Sequence, residues 1–491
     1  MALKSSGFRR PASSAHNHAP RGRSTSLTRR DLLRLSALGA GAAFLPAGRS
    51  RAGAAPAPHR FLQINLEGGW DSAFACDPVV GSKAASAAYD AAYQSAQCPT
   101  QVVDGKPTLQ IGPGLIVPDS AGPFARLPTA FVNGIFMEVS GHDFAAQYMS
   151  SGILSLTNTR DYPAIPALLG EATRSFPSHI VLGTAAPLGN TRLTSPPLQA
   201  FSSDALNTMV SGPTSVLIGP GGAFPDSFDP NDPARAAAFD QLVGDAHGLI
   251  DGLDDLVVGR LPATYQNELK AWRESSAKIE EVYAKKLGGS LSLSDADRAR
   301  YNPEGAASNG PEENLAAALL LLKSNLSPYV TVTFGSFDSH SDQLAVHLPL
   351  MQRFARALDV LVTDLLATDD PTSPDLKLAD TTTIYITSEF VRTPVFTLAT
   401  GGTEHWPSAS AILMGRGIQD GALIGATGDN AEALGWDPDL VQPVAFSEST
   451  QLLPDNLIAT ILANIGGEAV VDGIPEFDGV KRLSGLFVSK G

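Results

Sequence analysis

Acidic and histidine side chains follow apolar, β-rich runs of this chain, and the clearest case is Asp338 with His340. They lie two residues apart, directly after the run Tyr329–Phe334 and before an amphipathic stretch over 341–366. A buried strand is therefore expected to end here, and a helix is expected to begin directly after it. In open α/β sheets, the crevice at the carboxyl ends of the strands is where ligands bind.

The same pattern recurs at other predicted strands. Asp71 follows RFLQINL, Ser140 and His142 follow IFMEV, Glu389 follows TIYIT, and His405 precedes SASAILM. Parallel strands place their carboxyl ends along one edge of a sheet. These side chains can therefore converge although they are distant in the chain.

Carboxylate oxygen and imidazole nitrogen are the ligands of hard and borderline divalent metals. We therefore predict one or two divalent ions, with Zn, Ca, Mg and Mn not distinguished, and a ligand set of Asp71, Asp338, His340, Glu389 and His405. Two such ions can clamp the attacking and leaving oxygens of a phosphate or sulfate ester. Arg392, three residues past Glu389, is predicted to pair with an anionic substrate through its planar fork.

Each residue also has a simpler interpretation. Asp71 can accept backbone hydrogen bonds in its Gly-Gly turn, and Asp338 can be an ordinary turn residue. His142 can be structural, and Glu389 with Arg392 can be a plain salt bridge. The metal hypothesis depends on all of these residues together.

Short strands bounded by Gly and Pro alternate with helical stretches in this sequence, which indicates an α/β protein. Residues 228–325 differ, because long polar-apolar periodic stretches predict a helical insertion there, interrupted by a loop over 288–309. A further helix is predicted over 454–465, with Pro454 in its first turn and Gly466 just past its end. The length permits either two domains or one large α/β domain with insertions.

The first 54 residues have the pattern of an export signal. A basic segment leads to Arg29-Arg30, a short apolar run follows, and Ala52-Gly53-Ala54 provides a cleavage site. The paired arginines predict a twin-arginine signal, so the translocase is an expected partner and the location is periplasmic or extracellular. The apolar run is too short to span a bilayer, and no stable membrane insertion is expected. Residues 55–491 form the mature protein.

The mature chain is strongly acidic. Residues 1–54 contain ten Lys or Arg and one acid, so the remainder has 25 basic and 49 acidic residues, a formal charge of −24 with His neutral. Nucleic acid is excluded as a partner, because binding a polyanion requires a basic surface.

Two cysteines remain in the mature chain, Cys76 and Cys98. In an oxidising compartment they can form a disulfide, which we favour. The alternative is two unpaired small core residues.

Several motifs, in chain order, resemble a family of twin-arginine-exported bacterial proteins of unknown function, related to the alkaline phosphatase and sulfatase superfamily. The motifs are Gly68-Gly69-Trp70-Asp71, Gly141-His142-Asp143-Phe144, Phe337-Asp338-Ser339-His340, Ser388-Glu389-Phe390-Val391-Arg392-Thr393-Pro394, Gly402-Thr403-Glu404-His405 and Pro454-Asp455-Asn456-Leu457. The resemblance extends from about residue 60 to residue 466.

The resemblance implies an alkaline phosphatase-like, three-layer α/β/α fold with a central, mostly parallel sheet. It implies one or two divalent metals and hydrolysis of phosphate or sulfate esters through a Ser, Thr or modified Cys nucleophile. Relatives usually carry Ser-His where this chain has Gly141-His142, which leaves Ser140 as the candidate nucleophile, with His142 and Arg392 as the other catalytic candidates.

Two functions are consistent with these observations. The first is a metal-dependent hydrolase acting on an anionic small-molecule or polysaccharide ester. The second is a non-catalytic exported protein that retains the fold and binds a metal or an envelope partner.

Overall fold

The computed structural model describes residues 59–78, 100–157, 162–173, 179–183, 198–200, 293–305, 310–335, 337–397, 399–437 and 442–488. The chain divides into residues 1–49 and 50–491, and all described residues belong to the second unit. The predicted export signal, Cys98 and most of the predicted helical insertion lie outside the described residues.

An eight-stranded sheet forms the centre of the fold. Across the sheet the strands are β14 (Ala422–Ile424), β4 (Thr129–Phe136), β13 (Ser408–Gly415), β10 (Thr382–Thr387), β1 (Arg60–Leu66), β7 (Tyr329–Phe334), β5 (Ile180–Leu182) and β6 (Leu198–Ala200). Strand β13 runs antiparallel to both of its neighbours, and all other neighbouring pairs are parallel. The sheet is therefore mostly parallel, as predicted.

Short two-stranded ribbons surround the central sheet. They are formed by β2 (Gln101–Val103) with β3 (Lys106–Ile111), β8 (Asp369–Asp370) with β9 (Ser373–Lys377), β11 (Val391–Arg392) with β12 (His405–Trp406), and β15 (Gly435–Asp437) with β16 (Gln442–Val444). The ribbon of β11 and β12 places Arg392 directly opposite His405.

Helices cover both faces of the sheet. The described α-helices are α1 (Pro123–Arg126), α2 (His142–Ser151), α3 (Ile165–Ala172), α4 (Asp295–Tyr301), α5 (Pro311–Lys323), α6 (Gln343–Ala367), α7 (Leu378–Thr381), α8 (Pro454–Ile465) and α9 (Glu468–Asp472). Short 3-10 turns occur at Ser72–Phe74, Glu448–Thr450 and Pro475–Phe477.

Two hydrophobic cores show that this is a three-layer α/β/α arrangement. In β1, Leu62 and Ile64 pack in one core with α5 and α6, whereas Phe61 packs in the other with α2, α3 and α8. Alternate residues of a strand face opposite sides of a sheet, so one strand contributes to both cores.

Several elements were predicted with their observed bounds. Strands β1 and β7 and helix α8 match, and the end signals of α8 explain why. Pro454 occupies its first turn, the Asn456 side chain accepts a hydrogen bond from the Leu453 amide at 2.8 Å, and Gly466 follows its end. Other bounds were wrong: β4 begins at Thr129, whereas the sequence predicted a strand over 135–139.

The predicted loop over 288–309 is also corrected, because α4 lies within it. Ser294 caps this helix, accepting a hydrogen bond from the Asp297 amide at 3.1 Å. Cys76 is buried and forms no disulfide among the described residues, and burial raises the pKa of its thiol. Within the described ranges, no helix combines the length and the apolarity needed to cross a membrane.

Candidate metal centre

The candidate site lies where β1, β7 and β10 end, and a close backbone contact brings two of the following loops together. The Phe337 amide donates to the Glu67 carbonyl at 2.6 Å. Gly68 has φ +113°, and a Cβ at this position would lie 2.2 Å from the Asp338 nitrogen. Only glycine permits this approach, which sets the position of Asp338.

His142, the first residue of α2, contributes one imidazole to the site. Its Nδ1 lies 2.7 Å from Oε1 of Glu389, and its Nε2 lies 3.5 Å from Oδ2 of Asp338. The hydrogen bond with Glu389 raises the pKa of His142, against the opposing effect of burial. Glu389 therefore orients the ring and directs Nε2 toward Asp338.

His405 contributes the second imidazole. Its Nδ1 donates to the carbonyl oxygen of Ser140 at 2.8 Å, so the neutral ring keeps its lone pair on Nε2. That Nε2 is buried and has no hydrogen-bond partner among the described residues. It lies 3.5 Å from Oδ1 of Asp338, too far for a good hydrogen bond. Burial lowers the pKa of His405, which favours this neutral form.

Asp338 is held in its ionised form. Burial raises the pKa of its carboxyl, but a hydrogen bond from the Arg392 guanidinium and the positive charge of that group outweigh burial, so the pKa lies below its ordinary value. The carboxylate remains 36% exposed, in contrast to the fully buried guanidinium beside it. A charged oxygen ligand is therefore accessible from solvent.

These three side chains can hold a metal ion. The ligand atoms of His142, Asp338 and His405 lie within 4.8 Å of one another. Metal–nitrogen and metal–oxygen bonds of about 2.0–2.2 Å in a tetrahedral zinc site separate neighbouring ligands by about 3.3–3.5 Å. Each imidazole Nε2 lies 3.5 Å from an Asp338 oxygen, which fits that spacing.

His340 lies next to this group. Its Nε2 is 2.9 Å from Oδ1 of Asp338, and its Nδ1 is 3.0 Å from Oε2 of Glu404. The ring is 45% exposed and its centroid lies 5.1 Å from that of His405. The structure thus brings four of the predicted residues together: His142, Asp338, His340 and His405.

Asp71, a predicted ligand, lies in a separate buried network. One carboxylate oxygen accepts from the Ala73 amide at 3.0 Å, and the other accepts from the Gln343 side chain at 3.0 Å. Its own amide donates to Nε2 of His347 at 2.8 Å, and Nδ1 of that ring contacts Ser339 Oγ at 3.1 Å. Burial lowers the pKa of His347 to about 3, so the ring is a neutral connector. Asp71 caps a turn and positions the loops, and its contacts do not support the predicted role as a ligand.

Glu389 was also predicted as a ligand, but its contacts instead make it a hydrogen-bond partner of His142. Besides His142, its carboxylate accepts from the Gly68 amide at 2.7 Å and from Ser388 Oγ at 3.0 Å. The side chain is only 3% exposed. All three contacts are with protein groups. Glu389 therefore holds both the loop after β1, through Gly68, and the imidazole of His142.

Arg392 was predicted to contact a substrate anion, but its buried guanidinium contacts the protein instead. It donates to the carbonyl oxygens of Gly69 at 3.0 Å, Thr403 at 3.2 Å and Phe337 at 3.2 Å, and also to the Gly68 carbonyl and to Asp338. These contacts do not support the anion-positioning role. Arg392 instead ties three loops together.

Ser140, the predicted nucleophile, is exposed immediately before α2. Its carbonyl oxygen holds His405, as described above. Nothing in the structure tests the predicted attack by its hydroxyl. The sequence reasoning did not identify Gln343 and His347 as part of the site, because a helix interior of this type usually indicates only packing.

A protein-family model matches residues 128–466, and its description is protein of unknown function, DUF1501. No curated protein matches the chain.

Solved structures with weak similarity include two enzymes. The lipoteichoic acid synthase LtaP from Listeria monocytogenes has 9% identity and a TM-score of 0.31, with 83% of this chain and 72% of that chain covered. The phosphonate monoester hydrolase of Agrobacterium radiobacter has 11% identity and a TM-score of 0.27, with 83% of this chain and 74% of that chain covered. The family match spans more than half of the sequence, and the chain therefore belongs to the DUF1501 family.

Proposed function

We propose that this protein is an exported, metal-dependent hydrolase of phosphate or sulfate esters, with His142, Asp338 and His405 as the metal ligands. The buried, unpartnered Nε2 of His405 is the observation that carries the proposal. An orphaned polar atom in a folded protein requires an explanation. A metal ion supplies one, because the opposite nitrogen is already fixed by the Ser140 carbonyl.

The donor set favours a transition metal. Two imidazoles and one carboxylate suit zinc, manganese or iron better than calcium or magnesium, which prefer oxygen ligands. A divalent ion held there would polarise an ester oxygen and lower the pKa of a bound water. Glu389 would keep His142 oriented, and Arg392 would keep Asp338 ionised.

The reaction class rests on the motifs that resemble the alkaline phosphatase and sulfatase superfamily. The proposed substrate is an anionic small-molecule or polysaccharide ester, and the proposed route of export is the twin-arginine translocase. Ser140 remains the candidate nucleophile, since its backbone already contacts the His405 ring.

The first experiment is elemental analysis of the purified protein. We expect about one equivalent of a divalent transition metal in the wild type and its loss in His405→Ala, which removes a ligand. Asp71→Asn is the matched comparison, because Asp71 lies outside the three-residue group: this variant should keep its metal although it loses stability. Metal-free wild-type protein whose melting temperature does not rise with Zn²⁺ or Mn²⁺ would contradict the site.

The second experiment is a panel of aryl phosphate monoesters, diesters and sulfates tested with the metal-loaded protein. Turnover should disappear in both Asp338→Asn and His405→Ala. Turnover that survives in both variants would place the chemistry elsewhere.

A second candidate is a non-catalytic metal-binding protein of the cell envelope. Two observations favour it: Arg392 is fully buried, and Gly141 occupies the position where relatives usually carry Ser. This candidate predicts retained metal with no turnover on any ester of the panel.

A further inference from the structure

A row of polar side chains crosses the three central strands beneath α2. Asn65 of β1 is in register with Thr387 of β10 on one side and with Thr333 of β7 on the other. Parallel strands buried on both faces are usually apolar throughout. Polar residues at the centre of this sheet, next to the metal centre, therefore suggest a binding role.

A small cavity lies over this row. It has a volume of about 50 Å³ and is bounded by Asn65, Thr333, Thr387 and, from α2, Ser150. It reaches His142 and Glu389 of the metal centre. A water molecule needs about 10–15 Å³ on the same measure, so the cavity holds three or so water-sized groups. We call this cavity the polar pocket.

The hydrogen bonds beneath the polar pocket determine what it offers to a ligand. The Gln63 amide, fully buried, donates to Asn65 Oδ1 at 2.9 Å and to Ser150 Oγ at 3.2 Å. These bonds use acceptor atoms of both residues. Within the described part of the chain, the Asn65 NH₂ and the Ser150 hydroxyl donate to no other group, so both remain as donors.

Thr387 provides a hydrogen-bond acceptor to the polar pocket. Its hydroxyl donates to the Ser388 carbonyl at 3.1 Å, so its oxygen is left to accept. Gln63 and Thr331 are in register two residues before Asn65 and Thr333 on the same two strands. Their side-chain atoms Gln63 Oε1 and Thr331 Oγ1 are buried and have no hydrogen-bond partner among the described residues. The polar pocket thus presents two donors and an acceptor above further unsatisfied polar atoms.

The charge around the polar pocket excludes an anionic occupant. Two of the lining residues, Glu67 and Asp143, are exposed carboxylates. Glu389, which is buried, is a third acidic residue of the lining. None of the described residues that line it is Lys or Arg. An ammonium group tolerates these charges, but it only donates and would leave the Asn65 and Ser150 donors unpaired. A hydroxyl group both donates and accepts.

We propose that the polar pocket binds hydroxyl groups of an uncharged, polyol-like alcohol, which is the alcohol part of the ester substrate. This inference rests on the proposed function, because the metal centre would hold the phosphate or sulfate while the polar pocket holds the alcohol. The contact of the cavity with both His142 and Glu389 places the two parts side by side.

The test compares four phosphate monoesters that differ in one group: 2-hydroxyethyl, propyl, 2-aminoethyl and carboxymethyl phosphate. The 2-hydroxyethyl ester should have the highest kcat/KM, by about threefold to tenfold over the propyl ester, as expected for one neutral hydrogen bond. Thr387→Val should remove this preference. Thr382→Val, a buried threonine at the other end of the same strand, is the control and should keep it.

Binding of free glycerol to the full chain provides a readout that does not depend on hydrolysis. Ligand-observed NMR should show saturation transfer to glycerol with wild-type protein and Thr382→Val, and less transfer with Thr387→Val and Asn65→Ala. Glycerol binding without turnover of any ester would refute the proposed function and retain the pocket assignment. Equal turnover of all four esters, or a preference for 2-aminoethyl or carboxymethyl phosphate, would overturn the pocket assignment and retain the function.

Discussion

Glu389 and Ser140 act in the same way on two different histidines. Each contacts an imidazole Nδ1 and leaves Nε2 facing Asp338, one through a carboxylate and the other through a backbone carbonyl. Partners of this kind fix the tautomer and ring orientation of metal ligands, and their loss typically reduces metal affinity tenfold to a hundredfold.

We expect Glu389→Gln to weaken metal binding by about this factor, because the amide is a poorer acceptor for the His142 Nδ1 proton. Its oxygen can still accept from the Gly68 amide, so folding should be largely retained. Titration with a competing chelator measures the affinity.

The control is Glu404→Gln, whose carboxylate is 55% exposed and contacts His340. A larger loss of affinity in Glu404→Gln than in Glu389→Gln would contradict this assignment, because it would point to His340 rather than His142 as the ligand.

For individual residues, the sequence indicated which side chains lie near the candidate site better than it indicated what each one does there. Asp338, after one strand, and His405, before another, lie side by side in the candidate site, and their role as metal ligands stays a prediction. The contacts of Asp71 fit the simpler interpretation, because its carboxylate accepts from the Ala73 amide in the following turn and from the Gln343 side chain. Gln343 lies in α6, 272 residues further along the chain, so the sequence around Asp71 could not reveal this hydrogen bond.

Among the elements, the loop after β1 is the most constrained by its backbone. Gly68→Ala should strain a φ of +113° and press a Cβ against the Asp338 amide. We expect a loss of several kcal/mol in stability together with loss of metal, because the clash adds to a conformational penalty of roughly 1–2 kcal/mol.

Gly105→Ala isolates the conformational part of that effect. Gly105 also has a positive φ, of +73°, but nothing lies within 4 Å of the position that a Cβ would occupy there. Thermal unfolding and metal content should show a small loss of stability and full metal binding for this variant. A Gly68→Ala protein that matches it in both measurements would refute the steric argument.

Elements with uninterrupted patterns were predicted well, and β4 shows why others were not. Gly134 lies inside the strand at φ +67°, close to the Ala426 carbonyl, and the pairing with β13 shifts register nearby. A glycine within an apolar run reads as an interruption, so the sequence indicated only the second part of this strand. The helical pattern of α6, in contrast, was predicted within two residues of its observed bounds.

For the molecule as a whole, a buried ion pair joins the central sheet to its periphery. Arg60, the first residue of β1, donates to Asp370 of β8 at 2.8 Å, and both side chains are fully buried. Burial raises the pKa of Asp370, but hydrogen bonds from Arg60, Thr372 and Thr381 outweigh it and hold the pKa well below its ordinary value.

Asp370→Asn should lower the free energy of unfolding at pH 7 by about 3–5 kcal/mol, because Arg60 would be left as an unpaired buried charge. The folded pKa of Asp370 is depressed, so its stabilisation is present above about pH 3.9, the unfolded value, and declines as pH falls toward the folded value. The difference between the urea midpoints of wild type and variant should therefore stay constant from pH 7 to about pH 4 and shrink only below that pH. Asp369→Asn, an exposed neighbour paired with Lys377, should change the midpoint little.

The proposed export also concerns the whole chain. We expect the double substitution Arg29→Lys and Arg30→Lys to retain the protein in the cytoplasm, because the twin arginines are read by the translocase. Fractionation of a bacterial host measures the outcome. The control is Arg9→Lys with Arg10→Lys, an arginine pair without an apolar run directly behind it. Export of both variants would argue against the twin-arginine route.

The buried guanidinium of Arg392 also constrains how the site opens. It binds the loops after β1 and β7 and the loop before β12 at the same time. Releasing any one of these loops would leave a buried charge with too few acceptors, which costs more than releasing an uncharged contact. We therefore expect the three loops to open as one cooperative unit, whose amides exchange with solvent together, so that Asp338 and His405 are brought together or separated in a single step.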